Sequence, residues 1–202
     1  NIAPNQKILL YIGRLAQEKN LDFLLECFVS ILKGFPNCHL VFVGSGPYSE
    51  NLKSKISKLK IEKEVSFTGL LPKVLANQFF GSADLFAFPS TTETQGLVLI
   101  EAMASSTPVV AINQLGPTDI IKNGEDGFLV PLDKKEFVEK ILILLKDERL
   151  REKFGQKAKE NVKRFSIESC TGRLIKIYQE TIQEYKESLK GKRLIYNEIK
   201  KF

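Results

Sequence analysis

Short apolar segments alternate along this chain with amphipathic segments, and this alternation limits the possible folds more than any other feature. The apolar segments are rich in β-branched and aromatic residues and are bounded by Gly or Pro, as strands are. They are KILLYI (7–12), CHLVFV (38–43), VSFTG (65–69), DLFAFP (84–89) and TPVVAI (107–112). Between them, hydrophobic residues recur at the helical spacing of three to four in 21–35, 49–60, 74–83 and 96–105. Apolar strands joined by helices form parallel sheets covered on both faces, so we predict an α/β, Rossmann-like domain with about six strands.

After these segments the pattern becomes wholly helical. One more short strand is predicted at Gly127–Val130, and a helix then begins at Asp133, an N-cap residue with an acidic residue three positions later. Further helices are predicted over 148–165 and, with a clear apolar face, over roughly 166–188.

The domain organisation follows from this change of pattern. Residues 1–165 are predicted to form the Rossmann-like domain, and residues 166–202 a helical C-terminal extension of the same domain. The chain begins at Asn1 without Met and enters its first predicted strand almost at once. We therefore expect it to be a piece of a longer protein, cut at a domain boundary.

Composition and charge narrow the classes of partner. The 202 residues are 43% hydrophobic, and no apolar run approaches the roughly 20 residues of a membrane-spanning helix. The net charge of +6, part of it in 186–202, suits an anionic partner such as a phosphate-rich small molecule or an acidic membrane face. Because the sequence lacks RNA-binding signatures and basic–aromatic interleaving, nucleic acid is not expected as a partner.

The cysteines and the single histidine do not indicate metal or histidine chemistry. Cys27, Cys38 and Cys170 are far apart and lack zinc spacing, so we expect reduced, buried or half-buried thiols in a cytosolic protein. His39 lies at the beginning of a predicted strand, whereas ligands of such sheets bind at the opposite ends. We expect His39 to be structural.

The loop after the first predicted strand is a candidate phosphate site. Its sequence GRLAQEKN supplies the flexible Gly13 and the cations Arg14 and Lys19. Arg14 can bind a phosphate with two parallel hydrogen bonds, and Lys19 can act as a point charge. A pair of surface cations in a turn is the alternative, and this stretch alone leaves both readings open.

The loop after the second predicted strand, GSGPYSE (44–50), is a weaker signal. The dinucleotide-binding pattern G-x-G-x-x-G fails because its last position is Ser49, and the motif follows the second strand rather than the first. We interpret the glycines as turn residues, which disfavours a nicotinamide-dependent dehydrogenase.

The stretch PSTTETQGLVLIEAMASS (89–106) places two glutamates, Glu93 and Glu101, around a predicted helix N-terminus. The polar loop ends at Thr94, and the backbone N–H groups expected to project at the helix start belong to Gln95, Gly96 and Leu97. Glu93 is interpreted either as a helix cap or as an acceptor for hydroxyls of a ligand. Glu101 lies in an apolar helix and needs a hydrogen-bond partner, which a ribose diol would supply.

Several segments together resemble a known family. They are GRL..EKN (13–20), VFVGSGP (41–47), VSFTGLLP (65–72), ADLFAFPSTTETQGLVLIEAMASSTPVVA (83–111) and GEDGFLVP (124–131). In order and spacing they are similar to the C-terminal, nucleotide-sugar-binding half of retaining glycosyltransferases with the GT-B fold, in glycosyltransferase group 4. The resemblance runs from about Ile8 to Phe165, and the two glutamates match the family's E-x7-E motif. Ser106 departs from the family's usual glycine, and 114–121 has one glycine followed by proline where many relatives have two glycines.

The resemblance implies a role for each matching residue. Those that would act in catalysis are Arg14 and Lys19 on the donor diphosphate and Glu93 on the hydroxyls of the donor sugar. Those that would bind the donor are Gly13 beside the phosphate-binding cations, Leu70 and Leu71 around the base, Thr94, Gln95, Gly96 and Leu97 at the helix start, and Glu101 on the ribose hydroxyls. The family needs no metal and no cofactor, since cations and helix dipoles stabilise the leaving diphosphate.

The function implied is donor binding in a retaining hexosyltransferase that uses a nucleotide sugar, with UDP-sugar expected. The TETQG motif (92–96) resembles that of bacterial enzymes that glycosylate diacylglycerol, so a lipid acceptor is expected before other cell-envelope glycans. The acceptor-binding N-terminal domain would be missing, and the chain alone should not transfer sugar. We expect a cytoplasmic location, peripheral on the inner face of the membrane. A non-catalytic nucleotide-binding module and a sugar-nucleotide epimerase are the alternatives.

Overall fold

Within residues 2–199, the part of the backbone that the structure describes, six strands form one sheet in which every pairing is parallel. The structure is a computed structural model, and it describes side chains for residues 2–189. The strands are β1 (Lys7–Ile12), β2 (Cys38–Val43), β3 (Val65–Gly69), β4 (Leu85–Phe88), β5 (Val109–Ile112) and β6 (Gly127–Val130). The predicted parallel sheet of about six strands is confirmed.

The strand order leaves a crevice between β1 and β4. The order in the sheet is β3-β2-β1-β4-β5-β6, so the chain moves outward from β1 to β3 and then returns to place β4 on the other side of β1. The loops that leave the carboxyl ends of β1 and β4 therefore diverge. Ligands of open α/β sheets bind at such a switch point.

Helices cover both faces of the sheet. They are α1 (Leu21–Gly34), α2 (Ser49–Leu59), α3 (Lys73–Ser82), α4 (Leu97–Ala104), α5 (Gly116–Ile120), α6 (Lys134–Lys146), α7 (Glu148–Asn161) and α8 (Ile167–Ile199). On α1 the buried side chains recur at helical spacing as Leu21, Leu24, Leu25, Phe28 and Ile31. They join one core cluster with Leu9 and Tyr11 of β1, while Leu10, between these two, is buried outside that cluster. This alternation along β1 places apolar residues against both helical layers.

The chain divides into two compact units, residues 1–162 and 163–202. The first unit contains the sheet and its core. The second contains α8, along which large hydrophobic side chains between Leu174 and Leu189 are exposed. The predicted long helix is confirmed and extends beyond 188 to Ile199. No helix in the described part of the chain is both long enough and apolar enough to span a bilayer.

Most predicted elements occur, with differences at their ends. The Asp133 cap is confirmed, because its Oδ1 accepts a hydrogen bond from the Glu136 N–H at 2.9 Å. The fifth strand begins at Val109 rather than at 107, and the short helix α5 was not expected. Cys27 and Cys38 are buried in the core of the first unit, but the prediction for Cys170 was wrong, because its side chain lies on an exposed face of α8.

The departure at Ser106 has a structural consequence. Its φ of 62° lies in the left-handed region, which glycine adopts without steric cost and serine does not. The turn is tightly packed, since a Cβ added to Gly155 of α7 would lie 2.2 Å from the Ser106 carbonyl oxygen. Serine is accommodated there, but in a strained conformation.

Candidate functional site

The two loops that flank the crevice are connected to each other. The loop after β1 contains a short 3-10 helix, Gln17–Lys19, and the loop after β4 contains Glu93. Lys19 Nζ lies 3.0 Å from Glu93 Oε2, and the Asn20 side-chain amide donates a hydrogen bond to the Pro89 carbonyl oxygen at 3.2 Å. A third bond, from the Thr92 hydroxyl to the Glu18 carbonyl oxygen, is 3.3 Å long. These contacts hold two divergent loops side by side.

Close backbone contact fixes the loop after β1 from its other side. The Gly13 N–H donates to the Val43 carbonyl oxygen at 3.0 Å. A Cβ added to Gly44 would lie 2.1 Å from the Gly13 carbonyl oxygen. The Tyr11 hydroxyl also donates to the Arg14 carbonyl oxygen at 3.2 Å. Gly44 therefore serves the close approach of two loops, while the Arg14 side chain remains exposed in the crevice.

Glu93 is held at three atoms. Its Oε1 accepts the Gly96 N–H at 3.0 Å, its Oε2 contacts Lys19, and its backbone oxygen accepts the Gly116 N–H at 2.9 Å. Burial opposes ionisation of the carboxyl group. The hydrogen bond from Gly96 and the charge of Lys19 outweigh burial, so the pKa of Glu93 lies below its usual value.

The contact with Gly96 corrects one detail of the expected helix start. Gly96 is the N-cap of α4, with φ of 66°, and the helix itself begins at Leu97. The Gly96 N–H was predicted to be free for a ligand, but it is occupied by the Glu93 carboxylate. Of the two interpretations of Glu93, the structure contains the helix-capping contact. The carboxylate can make it because it lies directly before the positive end of the helix.

Glu101 has a partner that the sequence did not indicate. Its Oε1 lies 2.9 Å from Nζ of Lys73, the first residue of α3. The side chain of Glu101 is 34% exposed and that of Lys73 78% exposed. The hydrogen bond to Glu101 raises the pKa of Lys73. The predicted need of Glu101 for a partner is met within the chain, and its role toward a ribose stays a prediction.

Two adjoining cavities open at the carboxyl edge of the sheet. The larger, of about 600 Å³, is the more polar of the two and is lined by Tyr11, Ile12, Gly13, Arg14, Glu18, Lys19, Phe88, Glu93, Gln95, Leu97, Val98 and Glu101. The smaller, of about 410 Å³, is more apolar and is lined by Ile12, Gly13, Arg14, Val43, Gly44, Ser45, Leu70, Leu71 and Ala76. The segment 12–14 belongs to both and forms their common wall.

Most predicted site residues meet in these cavities. Gly96 and Thr94 are the exceptions: Gly96 contributes through its bond to Glu93, and Thr94 packs its backbone against Gly116. Sequence reasoning missed Tyr11, whose burial raises its pKa above the usual value and keeps the phenol protonated. The sequence feature that could have identified Tyr11 is its position, since it is a polar residue near the carboxyl end of an apolar strand, beside the crevice.

The remaining candidates for chemistry lie elsewhere or are not found. His39 is buried at the start of β2, where its Nε2 lies 2.8 Å from the Ser66 hydroxyl, and burial lowers its pKa. No group of three or more His, Cys, Asp or Glu that could hold a metal ion occurs in the described part of the chain. The metal independence implied by the resemblance stays a prediction.

Comparisons with a family model, with known sequences and with solved structures all point to the same family. The model of the family described as glycosyl transferases group 1 matches residues 1–161. A sulfoquinovosyl transferase of Arabidopsis thaliana is 35% identical over 86% of this chain, and an alpha-monoglucosyldiacylglycerol synthase of Streptococcus pneumoniae is 39% identical over 54%. TarM of S. aureus, solved as a mutant in complex with fondaparinux, alpha-GlcNAc-glycerol and UDP, matches 86% of the chain with a TM-score of 0.78 and 27% identity.

The chain spans only part of each relative. It covers 33% of the sulfoquinovosyl transferase, 25% of the diacylglycerol synthase and 36% of the TarM chain. The structural match confirms the predicted fold class, one half of a GT-B fold with a helical C-terminal extension.

Proposed function

Since the chain belongs to the family of glycosyl transferases group 1, we propose that it is the donor-binding half of a retaining glycosyltransferase that uses a UDP-sugar. The observation that carries the proposal is the arrangement at the β1–β4 crevice. A largely apolar cavity adjoins a second cavity that is lined by the carboxylate of Glu101 and by the cations Arg14 and Lys19. A nucleotide sugar presents three groups that match these linings: an apolar base, a ribose diol and a diphosphate.

Each part of the donor has a chemical match in the groove. The base enters the smaller cavity beside Leu70 and Leu71, where apolar surface is removed from water. The ribose hydroxyls donate to the Glu101 carboxylate, as charge-assisted hydrogen bonds. The diphosphate lies between Arg14 and Lys19.

Lys19 can bind the diphosphate without leaving Glu93. Its ammonium group has three N–H donors, and one of them is used by Glu93 Oε2. The sugar attached to the diphosphate then lies beside Glu93, whose remaining acceptor positions take sugar hydroxyls. In this arrangement Glu93 positions the sugar and is not the attacking nucleophile.

Departure of the nucleotide is the step that the cations assist. As the sugar–phosphate bond breaks, negative charge grows on the diphosphate, and fixed positive groups stabilise that charge most strongly where water is excluded. Arg14 and Lys19, together with the positive end of the α4 dipole, supply this stabilisation. We propose that the reaction requires no metal, that the acceptor hydroxyl attacks on the face from which the diphosphate leaves, and that the leaving diphosphate takes the proton of that hydroxyl.

The acceptor and the second half of the site lie outside this chain. We propose a lipid acceptor in membrane glycolipid synthesis, because relatives at 35% and 39% identity are named a sulfoquinovosyl transferase and a monoglucosyldiacylglycerol synthase. The net charge of +6 fits a cytoplasmic protein that associates with an anionic membrane face, with an N-terminal domain to bind the acceptor.

Calorimetry tests this proposal on the 202-residue chain. We expect UDP to bind more tightly than GDP or ADP, and Arg14→Ala or Glu101→Gln to weaken UDP binding by about tenfold or more, because each removes a charged hydrogen-bond partner. Lys157→Met, which removes an exposed lysine on α7, is the control and should leave binding unchanged.

Two results would contradict the proposal. Failure of the wild-type chain to bind UDP would remove the nucleotide site, and unchanged binding in both site variants would place it elsewhere. Conversion of a UDP-sugar to its epimer by the chain would favour the epimerase alternative.

A further inference from the structure

Lys73 forms an ion pair that relates the loop lining the apolar cavity to a residue lining the larger cavity. It is the first residue of α3, directly after the loop of Leu70 and Leu71 that lines the apolar cavity. Its Nζ lies 2.9 Å from Glu101 Oε1, and Glu101 lines the polar cavity from α4. A base in the first cavity and a ribose at Glu101 are directly bonded in any nucleotide, so this ion pair lies at their junction.

We propose that Lys73 is a nucleotide-positioning residue that orients the Glu101 carboxylate toward the ribose diol of the donor. The inference rests on the proposed function of this site. Lys73 lies outside the E-x7-E motif, 28 positions before Glu101 in the chain.

The ion pair leaves Glu101 able to bind. A carboxylate has about four lone-pair positions, and Lys73 uses one of them on Oε1. The others can accept both hydroxyls of a vicinal diol. A glutamate side chain loses rotamer freedom when it is held, so an ion pair formed before the ligand arrives reduces the entropy cost of binding.

The exposure of the pair limits the size of the effect. Lys73 is 78% exposed, and exposed ion pairs contribute little, so the effect on affinity should be about fivefold or less. We expect Lys73→Met, which keeps most of the apolar stem, to weaken UDP binding by about threefold. Lys73→Arg should restore binding, because it returns a cation at similar reach.

The test compares UDP with its 2′,3′-dideoxy analogue by calorimetry. If Lys73 acts through the diol, Lys73→Met weakens UDP but leaves the analogue nearly unchanged. In a Glu101→Gln background the substitution should have no further effect on UDP, since the group that it orients has lost its charge. Lys157→Met is the matched control, because Lys157 also contacts a glutamate at 2.9 Å in an exposed pair.

Three outcomes would overturn the inference. Unchanged UDP affinity would make Lys73 an ordinary surface lysine, and tighter binding would make it a competitor of the ribose for Glu101. Equal weakening of UDP and the analogue would mean that Lys73 only attracts the diphosphate. Absence of UDP binding by the wild-type chain would instead contradict the proposed function itself.

Discussion

Charged residues have different roles at the edge of the sheet formed by the amino ends of the strands (the amino edge) and at the edge formed by their carboxyl ends (the carboxyl edge). At the amino edge, Arg151 is 8% exposed, and its guanidinium donates to the Leu144 carbonyl oxygen at 3.0 Å and lies 3.4 Å from Asp84. Asp84 also contacts Lys7 at 3.0 Å and accepts the Ile8 N–H. At the carboxyl edge, the Arg14 side chain is exposed, and its guanidinium group has no ion pair or hydrogen bond within residues 2–189.

The difference separates charges that hold the fold from charges available to a ligand. A buried charge must be paired, because its desolvation is otherwise uncompensated. The amino edge meets this requirement with neighbouring chain, so Arg151 connects α7 to α6 and β4. Lys19 is intermediate: it pairs with Glu93 yet lines the crevice. The same residue types are thus structural at one edge and available at the other.

The largest expected effect is the difference in free energy of unfolding between two alanine variants, one at Arg151 and one at Arg14. Arg151→Ala should lower the free energy of unfolding by about 3 kcal/mol, because it removes the donor to two backbone carbonyl groups and one of the two cations that contact Asp84. Arg14→Ala should change it by less than about 0.5 kcal/mol while weakening UDP binding. Urea denaturation of both variants measures this. Equal losses of stability in Arg151→Ala and Arg14→Ala would contradict the distinction between structural charges at the amino edge and available charges at the carboxyl edge.

A smaller effect concerns the stabilisation that Glu93 supplies at the carboxyl edge. Its pKa lies below the usual 4.5, so the stabilisation is fully present above about pH 4.5 and is lost as the pH falls through the lower folded-state pKa. The free energy of unfolding of wild type should therefore exceed that of Glu93→Gln at neutral pH, and the two should converge in acid. Denaturation curves between pH 7 and about pH 3 measure the difference.

Lys19 provides the control for this pH dependence. In a Lys19→Met background the convergence in acid should be smaller, because one cause of the lowered pKa has been removed. Parallel curves for wild type and Glu93→Gln at every pH would mean that Glu93 is not stabilised in its ionised form.

The smallest effect lies back at the amino edge, in the strained turn before β5. Ser106→Gly should raise the free energy of unfolding by about 0.5–1 kcal/mol, because relief of the left-handed conformation exceeds the added chain entropy. Ser105→Gly is the control: Ser105 has φ of −86° and its hydroxyl donates to the Glu101 carbonyl oxygen, so that variant should lose stability. A loss in both variants would mean that Ser106 is not strained. Thermal unfolding followed by circular dichroism measures both.

Much of the fold was predictable because local pattern and tertiary structure agree. Buried residues of α1 follow the helical period, and apolar strands such as CHLVFV are buried throughout, so periodicity alone identified both. Helix α5 was missed because it is a single short turn, held by tertiary contacts such as the Gly116 N–H bond to Glu93. The burial predicted for Cys170 was wrong because the spacing of hydrophobic residues along a helix does not determine how exposed a particular side chain is.

The site was predictable only in part, for a similar reason. Arg14, Lys19, Glu93 and Glu101 follow strand ends or lie in a motif, so position along the chain placed them near the crevice. Lys73 has no such signal, since its contact with Glu101 depends on how α3 packs beside α4.

The sequence by itself determined the parallel α/β class, the strand ends at which charges accumulate and the family to which the chain belongs. Tertiary structure decided which of those charges are already used. Glu93 occupies the Gly96 N–H, Lys19 is bound to Glu93, and Lys73 is bound to Glu101. The physical reason is that hydrogen bonds and ion pairs depend on distances of a few ångströms between residues far apart in the chain, which neither periodicity nor composition encodes.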